Sequence, residues 1–157
     1  YFTDEELQAN IIRGCLVVEG DAISDFYLEP LQKICSEVDE LIIFIPGSLV
    51  SVQYRFVENV IKISELIRDN KKIKIIPGDE YVPYFNFIPT YYLDYTGKDI
   101  SVSQSALDAK FFAQCIAKPL NIAYRFRVMG RCSLKIDQYN KVLKEELPQY
   151  GVKFIEV

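Results

Sequence analysis

Histidine is absent from the 157-residue sequence, and this absence excludes several classes of catalytic site. Ser-His-Asp and Cys-His catalytic groups both need an imidazole, and so do metal sites that are built on histidine ligands. The four cysteines include no Cys-x-x-Cys pair, so their spacing indicates neither a zinc motif nor a redox motif. No G-x-G-x-x-G segment and no Walker A lysine loop occurs in the chain. The sequence therefore lacks the short motifs that identify a chemistry directly.

Basic charge and long apolar runs are also missing. The net charge of -4 provides no basic footprint for nucleic acid or for an anionic membrane, so we expect neither as a partner. No segment reaches the roughly 18 consecutive apolar residues of a membrane span, and the N-terminus does not resemble a signal peptide. We expect a cytoplasmic protein with reduced, structural thiols. Because the chain starts at Tyr1 rather than Met, we expect a fragment of a larger protein.

What the sequence does contain is an alternation of short apolar runs with longer helical stretches. Half of the residues are hydrophobic and 25% are charged, which is typical of one globular domain, here residues 1–157. Continuous apolar runs at 15–18 and 41–45 indicate strands buried on both faces, and we predict further strands at 73–76, 122–128 and 152–157. Helices are predicted from Thr3 to about Ile12, from Ser24 or Asp25 to about Val38, from Val52 to Arg68, from Ser105 to Pro119 and from Asp137 to Leu147.

Strands that alternate with helices pair in parallel through right-handed crossovers. The predicted fold class is therefore α/β, a three-layer α/β/α Rossmann-like sandwich with a mostly parallel five-stranded sheet in the order 3-2-1-4-5. In such sheets a ligand binds beyond the carboxyl ends of the strands where the strand order reverses, which is after strands 1 and 4. If a phosphate binds there, its candidate ligands are Gly20, Ser24, Arg55, Gly130 and Arg131. Each also has an ordinary structural role open to it, as a strand end, a helix cap or a solvated side chain.

Several local interpretations accompany this fold. Gly14 is expected to end the first helix, and Ser105 with Asp108 three residues later indicates a helix start. Three of the cysteines lie in apolar runs, where a free cysteine behaves as a small hydrophobe. They are Cys15, Cys35 and Cys115. The helix at 52–68 is expected to bury one face, formed by Val57, Val60, Ile61, Ser64 and Ile67.

The segment Tyr81–Tyr92 is unusually rich in tyrosine, phenylalanine and proline. Exposing so many large apolar side chains in a purely solvated loop would be costly. Two alternatives are open: the segment folds back over the sheet as a packed Ω-like loop, or it forms a binding surface. In the second case it would contact a protein partner or other domains of the parent protein.

From about Arg55 onward the chain resembles the C-terminal nucleotidylyltransferase-like domain of citrate lyase ligase, the enzyme that acetylates the citrate lyase prosthetic group. The resemblance rests on segments in the family's order and spacing over about two thirds of the chain. These segments are Ile76–Tyr81, Phe87–Tyr92, Leu107–Phe112, Ile116–Ile122, Arg125–Phe126 and Tyr139–Asn140. The resemblance implies the same fold and a nucleotide as a possible ligand.

The departures from the family pattern are as informative as the matches. The superfamily carries a His-x-Gly-His type signature after strand 1, whose histidines stabilise phosphate charge during adenylyl transfer. Here the corresponding stretch is Gly20–Tyr27, without either histidine, and the Gly-x-Glu-Pro segment after strand 4 is replaced by Gly130–Ser133. We therefore expect a catalytically degenerate member that binds a ligand or partner within a larger protein. The alternative is an active nucleotidylyltransferase or ATP-dependent ligase, with ATP and Mg²⁺, that uses a segment outside this chain.

Overall fold

The computed structural model describes residues 2–18, 23–45, 53–68, 70–78, 101–129 and 134–157. The helices in these ranges are α1 (Asp4–Gln8), α2 (Leu28–Glu37), α3 (Gln53–Ile67), α4 (Ser101–Phe111) and α5 (Leu134–Glu146). The strands are β1 (Arg13–Val17), β2 (Glu40–Ile45), β3 (Ile73–Pro77), β4 (Ile122–Arg127) and β5 (Lys153–Glu156). Shorter elements are 3₁₀ helices at Asp25–Tyr27 and Leu147–Tyr150 and a π-helical stretch, Phe112–Ala117, that continues α4.

The five strands form one sheet in the order β3-β2-β1-β4-β5, and every neighbouring pair is parallel. This confirms the predicted α/β fold and the predicted strand order. The central strand β1 is buried along its whole length, because it has a neighbour on each side and helices over both faces. The parallel pairing of β1 with β4 thereby places the carboxyl ends of these two strands at the same edge, where the strand order reverses.

The core has two halves, one on each face of the sheet. Successive residues of a strand point to opposite faces. Cys15 and Val17 therefore belong to the cluster that packs against α4, the π-helical stretch and α5, whereas Leu16 and Val18 belong to the cluster that packs against α2 and α3. Both layers of the predicted sandwich are thus present.

Gly14 lies inside β1 rather than at the end of a helix, so the prediction that it terminates α1 is wrong. Helix α1 already ends at Gln8, well before the predicted Ile12. A Cβ atom on Gly14 would lie 2.6 Å from Phe126 Cε2 and 2.9 Å from Val38 Cγ1. Glycine is required because the Phe126 ring approaches the backbone of β1 too closely for any side chain.

The buried face of α3 also differs from the predicted one. Val57, Ile61 and Ser64 are exposed. The side chains that face the sheet form a stripe that is displaced around the helix from the predicted one. That stripe consists of Phe56, Asn59, Val60, Ile63, Leu66 and Ile67. Helical spacing fits both stripes, and the one that contains the fully buried Ile63 faces the core.

Helix α4 contains Ser105 and Asp108 in its interior, so the prediction that they mark its start is wrong. The helix includes Ser101, and both Ser105 and Asp108 are buried on its inner face. Among the cysteines, Cys15 is fully buried as expected and Cys35 is partly buried. Cys115, by contrast, is exposed, although it lies next to the buried Ile116 on the π-helical stretch.

Candidate functional site

The edge of the sheet where β1 and β4 end is the candidate functional site. Of the predicted phosphate ligands there, Ser24 is exposed and precedes the 3₁₀ helix Asp25–Tyr27, but its side chain makes no capping hydrogen bond. Arg55 lies in the first turn of α3, and its side chain lies outside the described residues. Gly20, Gly130 and Arg131 also lie outside them, as does the aromatic segment Tyr81–Tyr92. A phosphate site built from these residues stays a prediction.

Helix α3 holds the chain that follows β1, through two residues that the sequence patterns did not single out. The Ile23 backbone N–H donates a 2.9 Å hydrogen bond to Oδ1 of the buried Asn59. One turn further on, Lys62 Nζ lies 2.7 Å from Asp25 Oδ1, and this contact raises the pKa of Lys62. Asp25 therefore forms an ion pair, and the prediction that it or Ser24 caps a helix through its side chain is wrong. A polar residue within an otherwise apolar helix stripe was the signal for Asn59.

A pair of buried arginines occupies the other side of the sheet at β4. Arg125 is 4% exposed, and its guanidinium carbon lies 4.5 Å from the centre of the Phe112 ring. Arg127 closes the strand, with Nη2 3.1 Å from Asp137 Oδ1 and Nη1 3.7 Å from Glu156 Oε1. Because α5 follows β4, the Arg127–Asp137 contact places the start of α5 at the carboxyl edge of the sheet.

Helix α4 directs two further polar groups toward this side. Asp108 is 6% exposed, and its Oδ2 atom has no hydrogen-bond partner among the described residues. Gln104, one turn earlier, likewise has a buried Nε2 atom without such a partner. Burial raises the pKa of Asp108 to about 6, although the charge of Arg125 acts in the opposite direction. The site thus holds an unused donor and an unused acceptor beside a buried cation, which equips it to bind a polar group.

The raised pKa of Asp108 makes a component of stability depend on pH. The folded state holds this proton more tightly than the unfolded chain, so the free energy of unfolding should fall as pH rises from 3.8 to about 6. Asp108→Asn, which carries no titrating proton, should lack that component. Urea unfolding of both proteins across this pH range measures the difference. Asp4→Asn, which removes an exposed acid in α1, is the control and should keep the fall; an unchanged slope in Asp108→Asn would contradict the prediction.

Neither Cys15 nor Cys35 is poised to act as a nucleophile. Burial raises the pKa of Cys15 to about 12, even though the charge of Arg125 lowers it, and burial also raises the pKa of Cys35. A thiol with a raised pKa carries little thiolate near neutral pH. Cys15 therefore contributes to the core on the α4 face, as the sequence predicts, and Cys132 lies outside the described residues.

Among the described residues, no group of three or more histidine, cysteine, aspartate or glutamate residues is arranged to hold a metal ion. None of the helices described is long and apolar enough to cross a membrane. Any role of Mg²⁺ therefore stays with the predicted ATP-dependent alternative.

Comparison with known proteins identifies one family. A family model described as the citrate lyase ligase C-terminal domain matches residues 14–157, which leaves out only α1 and the residues around it. The matched region contains all of the sheet except its first residue, Arg13, and all of the polar groups at the β1–β4 edge. No curated protein matches the chain.

Proposed function

The chain belongs to the citrate lyase ligase C-terminal domain family, and from that membership we propose that it binds a small polar ligand without transferring an adenylyl group. The proposed binding site is the carboxyl edge of β1 and β4. The ligand class that the nucleotidylyltransferase-like fold suggests is a nucleotide. The observation that carries the binding proposal is a set of polar groups on the α4 side of the sheet, referred to as the cluster. It consists of the buried Arg125 and Asp108 and of the buried Nε2 atom of Gln104, one helical turn before Asp108.

The cluster supports ligand binding because its polar atoms are desolvated and only partly used. An unpaired buried donor or acceptor costs roughly 1–3 kcal/mol, and natural domains retain few of them without a reason. A ligand that accepts from Gln104 Nε2 and donates to Asp108 Oδ2 would remove that cost. The neighbouring Arg125 would add a charge-assisted contact to any anionic part of the ligand.

The absence of catalysis rests on the absence of histidine from the whole sequence. The resemblance described above implies that adenylyl transfer in this superfamily depends on the two histidines of its signature. Removing one preorganised donor at such a site costs on the order of 10²–10³ in rate. Glu19, Asp21 and Asp25 add negative charge to the same stretch, which would further oppose a triphosphate. The domain would then serve ligand sensing or association within a larger protein, where the segment Tyr81–Tyr92 is the proposed partner surface.

Two measurements test this proposal on the same chain. ATP–pyrophosphate exchange should be undetectable with Mg²⁺ present, because the charge-stabilising groups are missing. Thermal unfolding in the presence of nucleotides such as ATP and CTP should nevertheless show a raised Tm for at least one ligand, without a requirement for Mg²⁺. Robust exchange would overturn the proposal that the domain is not catalytic. If none of the nucleotides raises the Tm, the proposal that the ligand is a nucleotide is overturned.

A pair of matched variants links the stabilisation to the cluster. Gln104→Met removes the buried amide donor with little change in volume and should reduce the ligand-induced rise in Tm. Gln114→Met makes the same change at an exposed position of the adjoining π-helical stretch and should leave that rise intact. Equal rises in both variants would place the ligand elsewhere.

A further inference from the structure

An apolar cavity lies on the α4 face of the sheet, away from the site proposed above. Its volume is about 290 Å³. The floor is formed by Phe44 of β2 and Ile76 of β3, both almost completely buried. The remaining walls come from α1 with the residue before it and from the chain around the end of the π-helical stretch. They are Phe2, Leu7, Cys115, Ile116, Pro119 and Leu120.

A positive charge lies close to one wall of this cavity. Lys74 precedes Ile76 by two residues on β3, so its side chain leaves the same face of the sheet. Lys74 does not itself line the cavity, but its Nζ lies 4.2 Å from the centre of the Phe2 ring, which does. The Phe2 ring therefore contacts both the ammonium group and the cavity.

Helix α1 covers one side of the cavity and is attached mainly through polar contacts. It has no buried residue, although Leu7 lines the cavity. Its Glu6 carboxylate accepts hydrogen bonds from Lys74 Nζ at 2.8 Å and from the Thr3 backbone N–H at 2.7 Å. These contacts lower the pKa of Glu6 to about 2, so the carboxylate stays ionised at any ordinary pH. The Lys74 ammonium is therefore already paired with the Glu6 carboxylate, and Glu40 Oε2 lies 3.7 Å from it as well.

We propose that this cavity binds an aliphatic carboxylate, with its chain between Phe44, Ile76 and Cys115 and its carboxylate on Lys74 in place of Glu6. The proposal goes beyond the function proposed above, because it concerns a different part of the sheet and a different ligand. The side chains that line the cavity are almost all apolar, and burial of an apolar chain against them removes its surface from water. The carboxylate of Glu6 shows which chemical group the neighbouring ammonium accepts.

The volume sets the length of the chain. A cavity of 290 Å³ is about ten times the roughly 30 Å³ that a water molecule occupies in the liquid, and a methylene group is of similar size. A chain of about eight carbons fits this space with room for its ends. Octanoate is therefore the probe, with octanol and octylamine as analogues that keep the tail and replace the carboxylate.

Isothermal titration calorimetry on the full chain provides the first test. Octanoate should bind at least 10-fold more tightly than octanol, and octylamine should bind least well, because it brings a second cation to Lys74. Equal affinity for octanoate and octylamine would overturn the assignment of the carboxylate to Lys74. Absence of octanoate binding would overturn the proposal as a whole.

Variants of α1 test the exchange with Glu6. Glu6→Gln removes the competing carboxylate and should increase the affinity for octanoate about fivefold or more. Glu5→Gln changes the neighbouring acid of the same helix and should leave the affinity as it is. A decrease or no change in Glu6→Gln would contradict the exchange.

Filling the cavity tests the position of the chain. Cys115→Phe places a ring at the wall and should abolish binding of octanoate and octanol alike, whereas Gln114→Phe adds the same ring at an exposed neighbour and should not. Circular dichroism tests whether both variants are folded. If Cys115→Phe does not fold, Leu7→Trp replaces it and fills the cavity from the side of α1. Octanoate binding that survives in a folded, cavity-filled variant would overturn the proposal.

Discussion

Replacing Arg13 by methionine is expected to lower the free energy of unfolding by about 3–5 kcal/mol. The Arg13 side chain is completely buried where β1 begins. Its Nε donates to Glu40, its Nη1 to the Leu120 carbonyl at 2.7 Å, and its Nη2 to the Glu6 carbonyl at 2.9 Å. Methionine fills much of the same space but leaves these three acceptors without their donor, and the largest part of the cost comes from the partly buried Glu40 carboxylate.

Urea unfolding of three proteins separates this loss from a general effect of the substitution. The double variant Arg13→Met/Glu40→Met removes the carboxylate that Arg13→Met leaves with only its 3.7 Å contact to Lys74, and it should recover part of the stability that Arg13→Met loses. Lys153→Met, at an exposed position of β5, should change the free energy of unfolding by no more than about 0.5 kcal/mol. A loss below about 1 kcal/mol in Arg13→Met would mean that the network contributes little.

Phe112→Ala is expected to cost about 3–5 kcal/mol, the second large effect. Phe112 is 1% exposed in the core between the sheet and α4, where removal of the ring leaves a cavity that close-packed neighbours cannot fill. The same ring supports the Arg125 guanidinium, so the variant also removes a cation–π contact from the proposed ligand site.

The neighbouring phenylalanine supplies a matched control for this substitution. Phe111 is 40% exposed, so Phe111→Ala should lower the free energy of unfolding by about 1 kcal/mol or less, which is a typical loss for a single substitution. Denaturant unfolding measures both variants. The ligand-induced rise in Tm should also be smaller in Phe112→Ala than in Phe111→Ala, because only Phe112 supports Arg125. Similar losses of stability in both variants would contradict the assigned packing.

Much of the fold could be read from the sequence, because buried parallel strands leave a simple pattern. Continuous apolar runs such as Leu41–Ile45 are rarely compatible with any position except the inside of a sheet that is covered on both faces. The alternation with helices then restricts the connections to parallel crossovers, and the order 3-2-1-4-5 is one of the few arrangements that remain. The capping box that Thr3 and Glu6 form at the start of α1 is equally local, because its two residues lie only three positions apart.

The parts of the site that sequence reasoning missed depend on contacts between distant residues. Helix α3 carries apolar side chains on two stripes, and only the way in which the helix packs on the sheet decides that Ile63 is buried while Ile61 is exposed. Gln104 and Asp108 look like ordinary helix residues until α4 packs over β4 and removes their polar atoms from water. Their importance comes from burial, which no spacing in the sequence encodes.

The sequence by itself determined the class of fold and the absence of histidine chemistry, and it reduced the strand order to a few arrangements, because composition and periodicity act locally. Tertiary structure alone decided which residues surround the two candidate sites. It brought Asp108 toward Arg125 and placed Lys74 beside an apolar cavity, in each case by joining elements far apart in the chain. The physical reason is that desolvation and charge pairing depend on neighbours in space, and these are set only when the layers pack.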